Sequence, residues 1–289
     1  MSVQGGTTPL NSLLRKGKEE MIATKDLERI IQLALYSAYV KDERPVSILI
    51  SSRVESGKTE ILRKSSHLDG ILYIADATAY GIQKEYLDQI ATGKIRTIVI
   101  PDLITPLSRS SDTVETFIAF LNGLIEEGIV EIQTYATSIK LTVPARCNII
   151  TSIAKEHLFD QRHRWTKVGF LSRVVPVSYS YGASTIYDIM DSIANKGYHS
   201  EQPFSLNFPE ESIDIKLPVE IANRIMALVP NVIDRENFAE KLYGFRLQKQ
   251  LQTLCMASAL QRGKETVTEE DFNKVKRLSD FFNLSFRQI

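Results

Sequence analysis

The sequence has few of the residues that disulfide scaffolds and zinc sites require. It contains two cysteines, Cys147 and Cys255, and four histidines among 289 residues. Two cysteines are too few for a disulfide framework or a cysteine-rich zinc site, and the histidines have no metal-ligand spacing with them. No G-x-S-x-G elbow or Cys/His constellation is present, which argues against a nucleophilic hydrolase. The scarcity of cysteine favours a reducing compartment.

An excess of charge and long apolar runs are also missing. Thirty-five Lys and Arg residues balance thirty-five Asp and Glu residues, so the formal net charge is zero. This balance excludes a polycationic nucleic-acid coat and an acidic tail. No apolar run reaches the roughly 18 residues of a transmembrane helix, and residues 1–11 lack the apolar core of a signal peptide. We therefore expect a cytoplasmic chain with no membrane segment.

The sequence does contain short apolar runs that alternate with helical patterns. The runs lie at 46–50, 71–75, 96–100, 147–151 and 174–177. Continuous apolar runs of this length suit strands that are buried on both faces of a parallel sheet. The clearest helical pattern lies at 113–127, and residues 131–143 alternate as a hairpin that turns near 135–138. The chain is therefore predicted to form an open α/β sheet with right-handed crossovers.

From about residue 184 the pattern becomes helical throughout. Helices are predicted at 184–196, 218–228, 246–262 and 268–283, with a linker or long loop at 198–217. Near the other end, a helix is predicted at 25–40 with Thr24 as its N-cap. Thr268 and Asp271 resemble a capping box in which Asp replaces the usual Glu or Gln. These changes predict a flexible tail (1–22), an α/β core (23–183) and an α-helical domain (184–289).

The most specific motif is Ser-Arg-Val-Glu-Ser-Gly-Lys-Thr at residues 52–59. It follows a predicted buried strand and opens a predicted helix at 58–64, which is the setting of a phosphate-binding loop. Backbone N–H groups and the helix N-terminus would wrap a β-phosphate, while Lys58 would reach the β- and γ-phosphates and Thr59 would bind Mg²⁺. Ser52 stands where G-x-x-x-x-G-K-[ST] has its first glycine. The predicted ATP-binding residues are Ser52, Arg53, Val54, Glu55, Ser56, Gly57, Lys58, Thr59 and Glu60.

Asp102 follows the apolar run at 96–100, at the edge of a predicted strand. A carboxylate in this position can hold Mg²⁺ through water, as a Walker B group does. The next residue is Leu103, whereas many P-loop ATPases have a glutamate there that orients the attacking water. We therefore expect Asp102 and Thr59 to bind the metal and expect hydrolysis to be slow. Asp76 or Glu55 could replace the missing glutamate, although an aspartate at a strand edge also caps helices.

The order of these motifs resembles that of the AAA+ ATPases. The similarity is greatest to the branch that holds the minichromosome maintenance helicases and the MoxR-type ATPases. Besides the loop and Asp102, the similar stretches are the hairpin at 131–143, Pro-Ala-Arg-Cys-Asn-Ile-Ile at 144–150, Leu-Ser-Arg at 171–173 and Phe-Arg-Leu-Gln-Lys-Gln-Leu at 245–251. The resemblance implies a P-loop AAA+ core, with a parallel sheet between helices, that is followed by a small α-helical lid and binds ATP and Mg²⁺.

The same resemblance implies roles for residues outside the loop. Arg173 would be an arginine finger that stabilises charge on a neighbouring subunit's γ-phosphate, and Arg246 would be sensor 2. The helicases have asparagine after this strand, whereas Thr151 and Ser152 lie at its end in this sequence. Ser152 would therefore be sensor 1, with Thr151 as the alternative. An arginine finger that acts in trans implies a homo-oligomeric ring, specifically a hexamer.

We therefore expect a ring-forming ATPase that remodels or moves a client, either DNA or a DNA-bound protein. The alternative is a switch in which ATP binding assembles a complex with little or no hydrolysis, which Leu103 favours. A P-loop kinase is disfavoured because no lid suited to a small acceptor is visible. The basic and aromatic stretch at 155–167 could contact nucleic acid, but we interpret it as a solvated loop that presents Arg173 to a neighbour. Lys140 is a weak pore-loop candidate.

Overall fold

The computed structural model describes residues 25–133, 138–195, 202–233 and 244–284. The predicted tail at 1–22 and the predicted N-cap Thr24 lie outside the described residues. So do residues 134–137 at the predicted hairpin turn and residues 196–201 at the start of the predicted linker. Within the described residues, no helix has the length and apolar character needed to cross a membrane.

A five-stranded parallel sheet forms the centre of the structure. Seven strands are present in the described residues: β1 Ser47–Ser52, β2 Ile71–Tyr73, β3 Thr97–Ile100, β4 Ile129–Gln133, β5 Ser138–Ala145, β6 Asn148–Ala154 and β7 Val174–Ser178. The parallel sheet has the order β2-β3-β6-β1-β7, and β4 pairs with β5 as a separate antiparallel hairpin. The strands of the sheet coincide with the predicted apolar runs, which confirms the α/β fold class. The runs are continuous because both faces of the sheet are covered.

Helices cover both faces of this sheet. The described helices are α1 25–37, α2 Lys58–Arg63, α3 Ala79–Ala91, α4 Ile104–Leu107, α5 Ser111–Ile125, α6 Lys155–Lys167, α7 Phe170–Arg173, α8 Ala183–Ala194, α9 Val219–Ile233, α10 Phe245–Gln261 and α11 Glu269–Leu278. A 3₁₀ turn, Ser279–Phe281, follows α11. One apolar cluster joins a sheet face to α3, α5, α6 and α7. The other cluster joins the opposite face to α1, α2 and the C-terminal helices α9, α10 and α11.

Asn148 fixes α1 to the sheet through its buried amide. Its Nδ2 donates to the carbonyl of Ala34 at 2.8 Å and to that of Val46 at 3.1 Å, while its Oδ1 accepts from Thr97 Oγ1 at 2.6 Å. Both side chains are buried, so each of these hydrogen bonds satisfies a group that water does not reach. The network holds the amino-terminal ends of β1, β3 and β6 in register.

The C-terminal helices are stabilised by the predicted capping box. Thr268 is the N-cap of α11, and its backbone N–H donates to Asp271 Oδ2 at 2.9 Å. Arg262 donates to both oxygens of the buried Asp271 carboxylate, at 3.0 and 2.5 Å. Burial alone would raise the pKa of Asp271, but the hydrogen bonds from Arg262 and Thr268 hold it below its usual value.

Several predicted elements differ from the structure. The helix predicted at 268–283 ends at Leu278, and the helix predicted at 25–40 ends at residue 37. Residues 155–167 form the helix α6, not a solvated loop, and Leu158 and Trp165 bury one side of it. These two residues are seven positions apart, so the apolar stripe is too sparse to show a helical period. The helix predicted to end at residue 228 continues through Pro230 to Ile233. Residues 202–217 have no helix and join the core through single bridges at Ile213 and Lys216.

Candidate phosphate-binding site and arginine cluster

A cavity of about 910 Å³ opens at the carboxyl ends of β1, β3 and β6. The phosphate-loop residues from Val54 to Glu60 line one side of it, and Asp102 and Ser152 line the adjacent wall. Ser152 faces Ile50 across the β1–β6 pair, so the middle strand brings its hydroxyl between the loop and Asp102. In an open α/β sheet, ligands bind beyond the carboxyl ends of the strands. The sheet order therefore assembles three separate sequence motifs around one cavity.

The phosphate loop has the backbone of an anion-binding turn. It leaves β1 at Ser52 and enters α2 at Lys58, with Glu55 at φ 63° and Gly57 at φ 75°. Left-handed residues in such a turn form the concave backbone in which phosphates bind. Gly57 adopts this conformation without steric cost, which explains why the motif keeps its second glycine. The Gly57 carbonyl then accepts the first helical hydrogen bond of α2, from Ile61 at 3.1 Å.

Hydrogen bonds from its ammonium group hold the Lys58 side chain against the loop. Its Nζ donates to the carbonyls of Arg53 at 2.7 Å and Ser52 at 3.2 Å, and to Ser56 Oγ at 3.3 Å. Burial lowers the pKa of Lys58, while the negative charges of Asp102 and Glu156 oppose that shift. The cation therefore lies at the concave side of the loop and beside the Asp102 carboxylate.

Two tyrosines after β7 hold the backbone of the loop by hydrogen bonds. The sequence analysis did not identify them. Tyr179 Oη donates to the Ser56 carbonyl at 2.6 Å, and Tyr181 Oη donates to the same carbonyl at 2.8 Å. Their rings meet edge to face, with centroids 5.4 Å apart. The spacing Tyr-Ser-Tyr immediately after a buried strand is the only sequence signal of this clamp. It fixes the residue that precedes Gly57, the glycine of the loop with positive φ.

Asp102 and Ser152 have different hydrogen-bond partners. The exposed Asp102 carboxylate accepts from the backbone N–H of Ile104 at 3.0 Å through one oxygen, and the residue lines the cavity. Ser152 is buried at the cavity wall and donates to the Pro101 carbonyl at 2.5 Å. Thr151 donates to the Ile100 carbonyl at 2.8 Å inside the sheet and does not line the cavity. Of the two sensor 1 candidates, Ser152 is therefore the one that the structure brings to the site.

The position after Asp102 faces away from the cavity. The Leu103 side chain is fully buried in the cluster with α5, and its backbone N–H donates to the Ser152 carbonyl at 2.8 Å. Of the two proposed replacements for a glutamate there, Asp76 forms an ion pair with Arg109 at 2.7 Å outside the cavity. Glu55 lines the cavity, and so does Asp188 of α8, which the sequence reasoning did not consider.

The oxygen donors at this cavity suit Mg²⁺. Thr59 at the start of α2 and Asp102 after β3 line the same space, and Mg²⁺ binds proteins through one or two such oxygens together with water and phosphate. The described residues contain no group of three or more His, Cys, Asp or Glu side chains that could hold a metal without a phosphate. A helix wall completes the cavity, with Ile189 and Ile193 of α8 on its apolar side.

Arg173 and Arg246 lie at the opposite edge of the sheet. Arg173 immediately precedes β7, whose first residue faces Ser47 at the start of β1, whereas Lys58 lies beyond the end of β1. Six residues of strand separate the two edges, which corresponds to about 20 Å. Arg173 Nε lies 3.6 Å from Glu126 Oε2, and Arg246 Nε lies 3.2 Å from the same oxygen. The structure thus brings the two arginines together, but away from the loop of their own chain.

Comparison with known proteins adds no family to this description. No protein-family model matches the sequence, and no curated protein matches it.

Proposed function

We propose that this chain is an ATP-binding protein of the AAA+ type and that it forms a ring, a hexamer, whose ATP sites lie between subunits. In this proposal it hydrolyses ATP to remodel or move a macromolecular client. The observation that carries the proposal is the convergence of Lys58, Asp102 and Ser152 on one cavity at the carboxyl edge of a parallel sheet.

The cavity has the parts that a nucleoside triphosphate requires. The phosphate loop supplies backbone donors and the Lys58 ammonium for the phosphates. The apolar wall formed by Ile189 and Ile193 suits a purine base, as ligand pockets combine apolar walls with a few polar groups. ATP with Mg²⁺ is therefore the proposed ligand, and α8 to α11 would act as the lid over it.

The position of the arginines supports a site that two subunits share. A positive charge that approaches a γ-phosphate stabilises the charge that develops during transfer. Arg173 and Arg246 lie about 20 Å from the loop of their own chain, so within one chain they do not reach its phosphates. A head-to-tail contact would bring this edge to the cavity of the next subunit, and such contacts close into rings.

The chain's own residues would then have distinct tasks. Lys58 binds the β- and γ-phosphates, and Arg173 enters from the neighbour. Ser152 accepts a hydrogen bond from the attacking water while its proton is donated to the Pro101 carbonyl, and it holds the γ-phosphate only if it exchanges that bond. Mg²⁺, held by Thr59 and Asp102, supplies neutralising charge on the phosphates when it is bound. Glu55 and Asp188 are the cavity carboxylates that could orient water in place of a glutamate after Asp102.

The proposed client is DNA or a DNA-bound protein. This choice follows the resemblance to the helicase branch and the exposed basic surface of α6, where Arg162 lies 4.0 Å above the Phe159 ring. Arginine and aromatic side chains of this kind bind phosphates and stack on bases. Binding of single-stranded DNA that weakens steeply with salt would support DNA as the client, and salt-independent binding or no binding would contradict it.

The buried Leu103 favours a second candidate function. Because no carboxylate follows Asp102 at the cavity, ATP binding could assemble the ring with little hydrolysis. Turnover of Mg-ATP, measured with and without single-stranded DNA, separates the two functions. Turnover that Lys58→Ala abolishes would contradict a pure switch, and ATP binding without turnover under every condition would contradict a motor.

The mass of the particle with and without ATP tests the architecture. We expect Mg-ATP to convert the wild-type chain into a hexamer and expect Lys58→Ala to remain in the smaller form. Lys84→Ala is a matched control, because it also removes one lysine but takes it from an exposed pair with Glu85 in α3, outside the cavity lining. A particle whose mass does not respond to ATP, with no bound nucleotide, would contradict the proposed function.

A further inference from the structure

A partly buried carboxylate, Glu126, lies among three arginines at the edge opposite the phosphate loop. Glu126 is the C-cap residue that follows α5, and its side chain is 12% exposed. It forms ion pairs with Arg44 before β1, with Arg246 of α10 and with Arg173 of α7. These residues line a separate cavity of about 290 Å³. The cluster has a net charge of +2 from these four side chains, and it joins four elements that are distant in the sequence.

We propose that Glu126 is a positioning residue that gathers Arg44, Arg173 and Arg246 into one cationic group for the triphosphate of a neighbouring subunit. This inference rests on the proposed function, because it requires that the cluster meet a neighbour's ATP. It adds a third cation, Arg44, and a central anion to the two arginines that the sequence indicated.

Electrostatic repulsion explains why such an anion is needed. Burial lowers the pKa of Arg173, the neighbouring charges of Arg246 and Arg44 lower it further, and the negative charge of Glu127 opposes the shift. Burial also lowers the pKa of Arg146, which lies next to the cluster, and the positive charge of Arg44 lowers it further. Like charges at this spacing repel one another unless a counter-charge lies between them. Without Glu126, the long and partly exposed side chains of Arg44 and Arg246 would turn toward water.

The hydrogen bonds show that Glu126 leaves Arg173 able to act. Arg44 and Arg246 donate to the two carboxylate oxygens of Glu126. The Arg173 Nε is farther away, at 3.6 Å, and has no hydrogen-bond partner among the described residues. Arg173 is instead oriented by its own turn, where Nη1 donates to the Gly169 carbonyl at 2.9 Å. Glu126 therefore attracts Arg173 by charge without occupying all its donors.

The test compares Glu126→Gln with Glu127→Gln. Both variants remove one negative charge. Glu127 is exposed and belongs to none of the ion pairs of the cluster, so its charge acts on Arg173 only through solvent-screened attraction. We expect Glu126→Gln to lower kcat about tenfold or more and to leave KM within about twofold, because its own phosphate loop is intact. Glu127→Gln should change kcat by less than about twofold, because the charge it removes is exposed and screened. Glu126→Asp, which keeps the charge on a shorter side chain, should recover part of the loss.

Mixed oligomers give a readout that a folding defect does not reproduce. Glu126→Gln subunits keep Lys58, and Lys58→Ala subunits keep an intact arginine cluster. A mixture should therefore turn over ATP faster than the average of the two variants measured separately. If the wild type assembles but does not hydrolyse ATP, the variants are compared by the ATP concentration at which half of the chains are assembled. We expect Glu126→Gln to raise that concentration about tenfold.

The possible failures can be distinguished. If Arg173→Ala has no effect on turnover or on assembly, the proposed function fails and this inference fails with it. If Arg173→Ala inactivates but Glu126→Gln behaves like Glu127→Gln, only this inference is overturned. A loss in Glu126→Gln that Lys58→Ala subunits do not rescue would also overturn it, because Glu126 would then act within its own chain.

Discussion

Replacing Leu103 by glutamate tests whether the buried position after Asp102 excludes a carboxylate. Leu103 is 0% exposed and packs in the cluster beneath α5. Burying a leucine contributes about 1.5–3 kcal/mol, and keeping a carboxyl group protonated at neutral pH against a normal pKa near 4.3 costs about 4 kcal/mol. We therefore expect Leu103→Glu to lower the free energy of unfolding by about 6–7 kcal/mol near pH 7.5.

The pH dependence of this loss identifies its cause. A buried carboxyl group has a higher pKa in the folded chain than in the unfolded chain. Its cost is therefore absent below the unfolded pKa, near 4.3, and grows by about 1.4 kcal/mol per pH unit above it until the folded pKa is reached. Urea denaturation from pH 5 to pH 8 measures this slope. Leu103→Gln should lose stability without the slope, and the volume-conserving Leu103→Met should lose less than about 1.5 kcal/mol.

The same variant addresses hydrolysis. We expect Leu103→Glu to gain no ATP turnover, because its side chain starts from a Cα that directs it into the core. Stability that stays at the wild-type level at all pH values, together with faster turnover, would refute the reasoning. That result would mean that the side chain at 103 reaches the cavity.

Three further predictions concern contacts elsewhere in the structure. Asp271→Asn should lower the free energy of unfolding by about 2 kcal/mol at pH 7, because it breaks the ion pair with Arg262. Since the pKa of Asp271 is lowered in the folded chain, this contribution is present above pH 4 and disappears as the pH falls through the folded-state pKa. Asn148→Leu should lower the free energy of unfolding by about 3 kcal/mol, because the Val46 carbonyl and the Thr97 hydroxyl lose this partner and the Ala34 carbonyl keeps the bond from Ser37. Thr97→Val should cost less. Tyr179→Phe should weaken ATP binding about fivefold, because the Ser56 carbonyl then accepts from only one of the two tyrosines, Tyr181.

Each of these has a direct measurement and a contrary result. Urea denaturation at pH 7 and pH 3 tests Asp271→Asn, and a loss that is equal at both pH values would contradict the role of its charge. Denaturation at one pH ranks Asn148→Leu against Thr97→Val, and the reverse ranking would contradict the network. Titration with ATP at constant Mg²⁺ tests Tyr179→Phe, and an affinity equal to the wild type would show that the hydroxyl does not hold the loop.

Local sequence patterns predicted the sheet and the phosphate loop because their physical causes are local. Buried parallel strands need continuous apolar runs, and a loop that curls at Gly57 needs a glycine there. The capping box at Thr268 and Asp271 was likewise readable, since its partners are three residues apart. The helix α6 was misread because only Leu158 and Trp165 bury it, and most of its surface is charged.

Contacts between distant segments could not be read from the sequence. Tyr179 meets Ser56 across 123 residues, and Glu126 meets Arg246 across 120. Neither pair has a spacing that distinguishes it from surface residues of the same type. The orientation of the Leu103 side chain also depends on how β3 ends against α5. A leucine at this position indicated that a carboxylate is missing, but it did not indicate that the position is buried. These features decide how the candidate site is held, and they required the fold.

Mixing two inactive variants tests most directly whether ATP is used between subunits. Lys58→Ala lacks the cation proposed to bind the phosphates, and Arg173→Ala lacks the cation proposed to act on the neighbour. If both residues serve one site from different chains, an equal mixture should recover about a quarter of the wild-type turnover, since a quarter of the seams then pair an intact loop with an intact arginine. A mixture that stays inactive, or Arg173→Ala with wild-type turnover, would contradict the account.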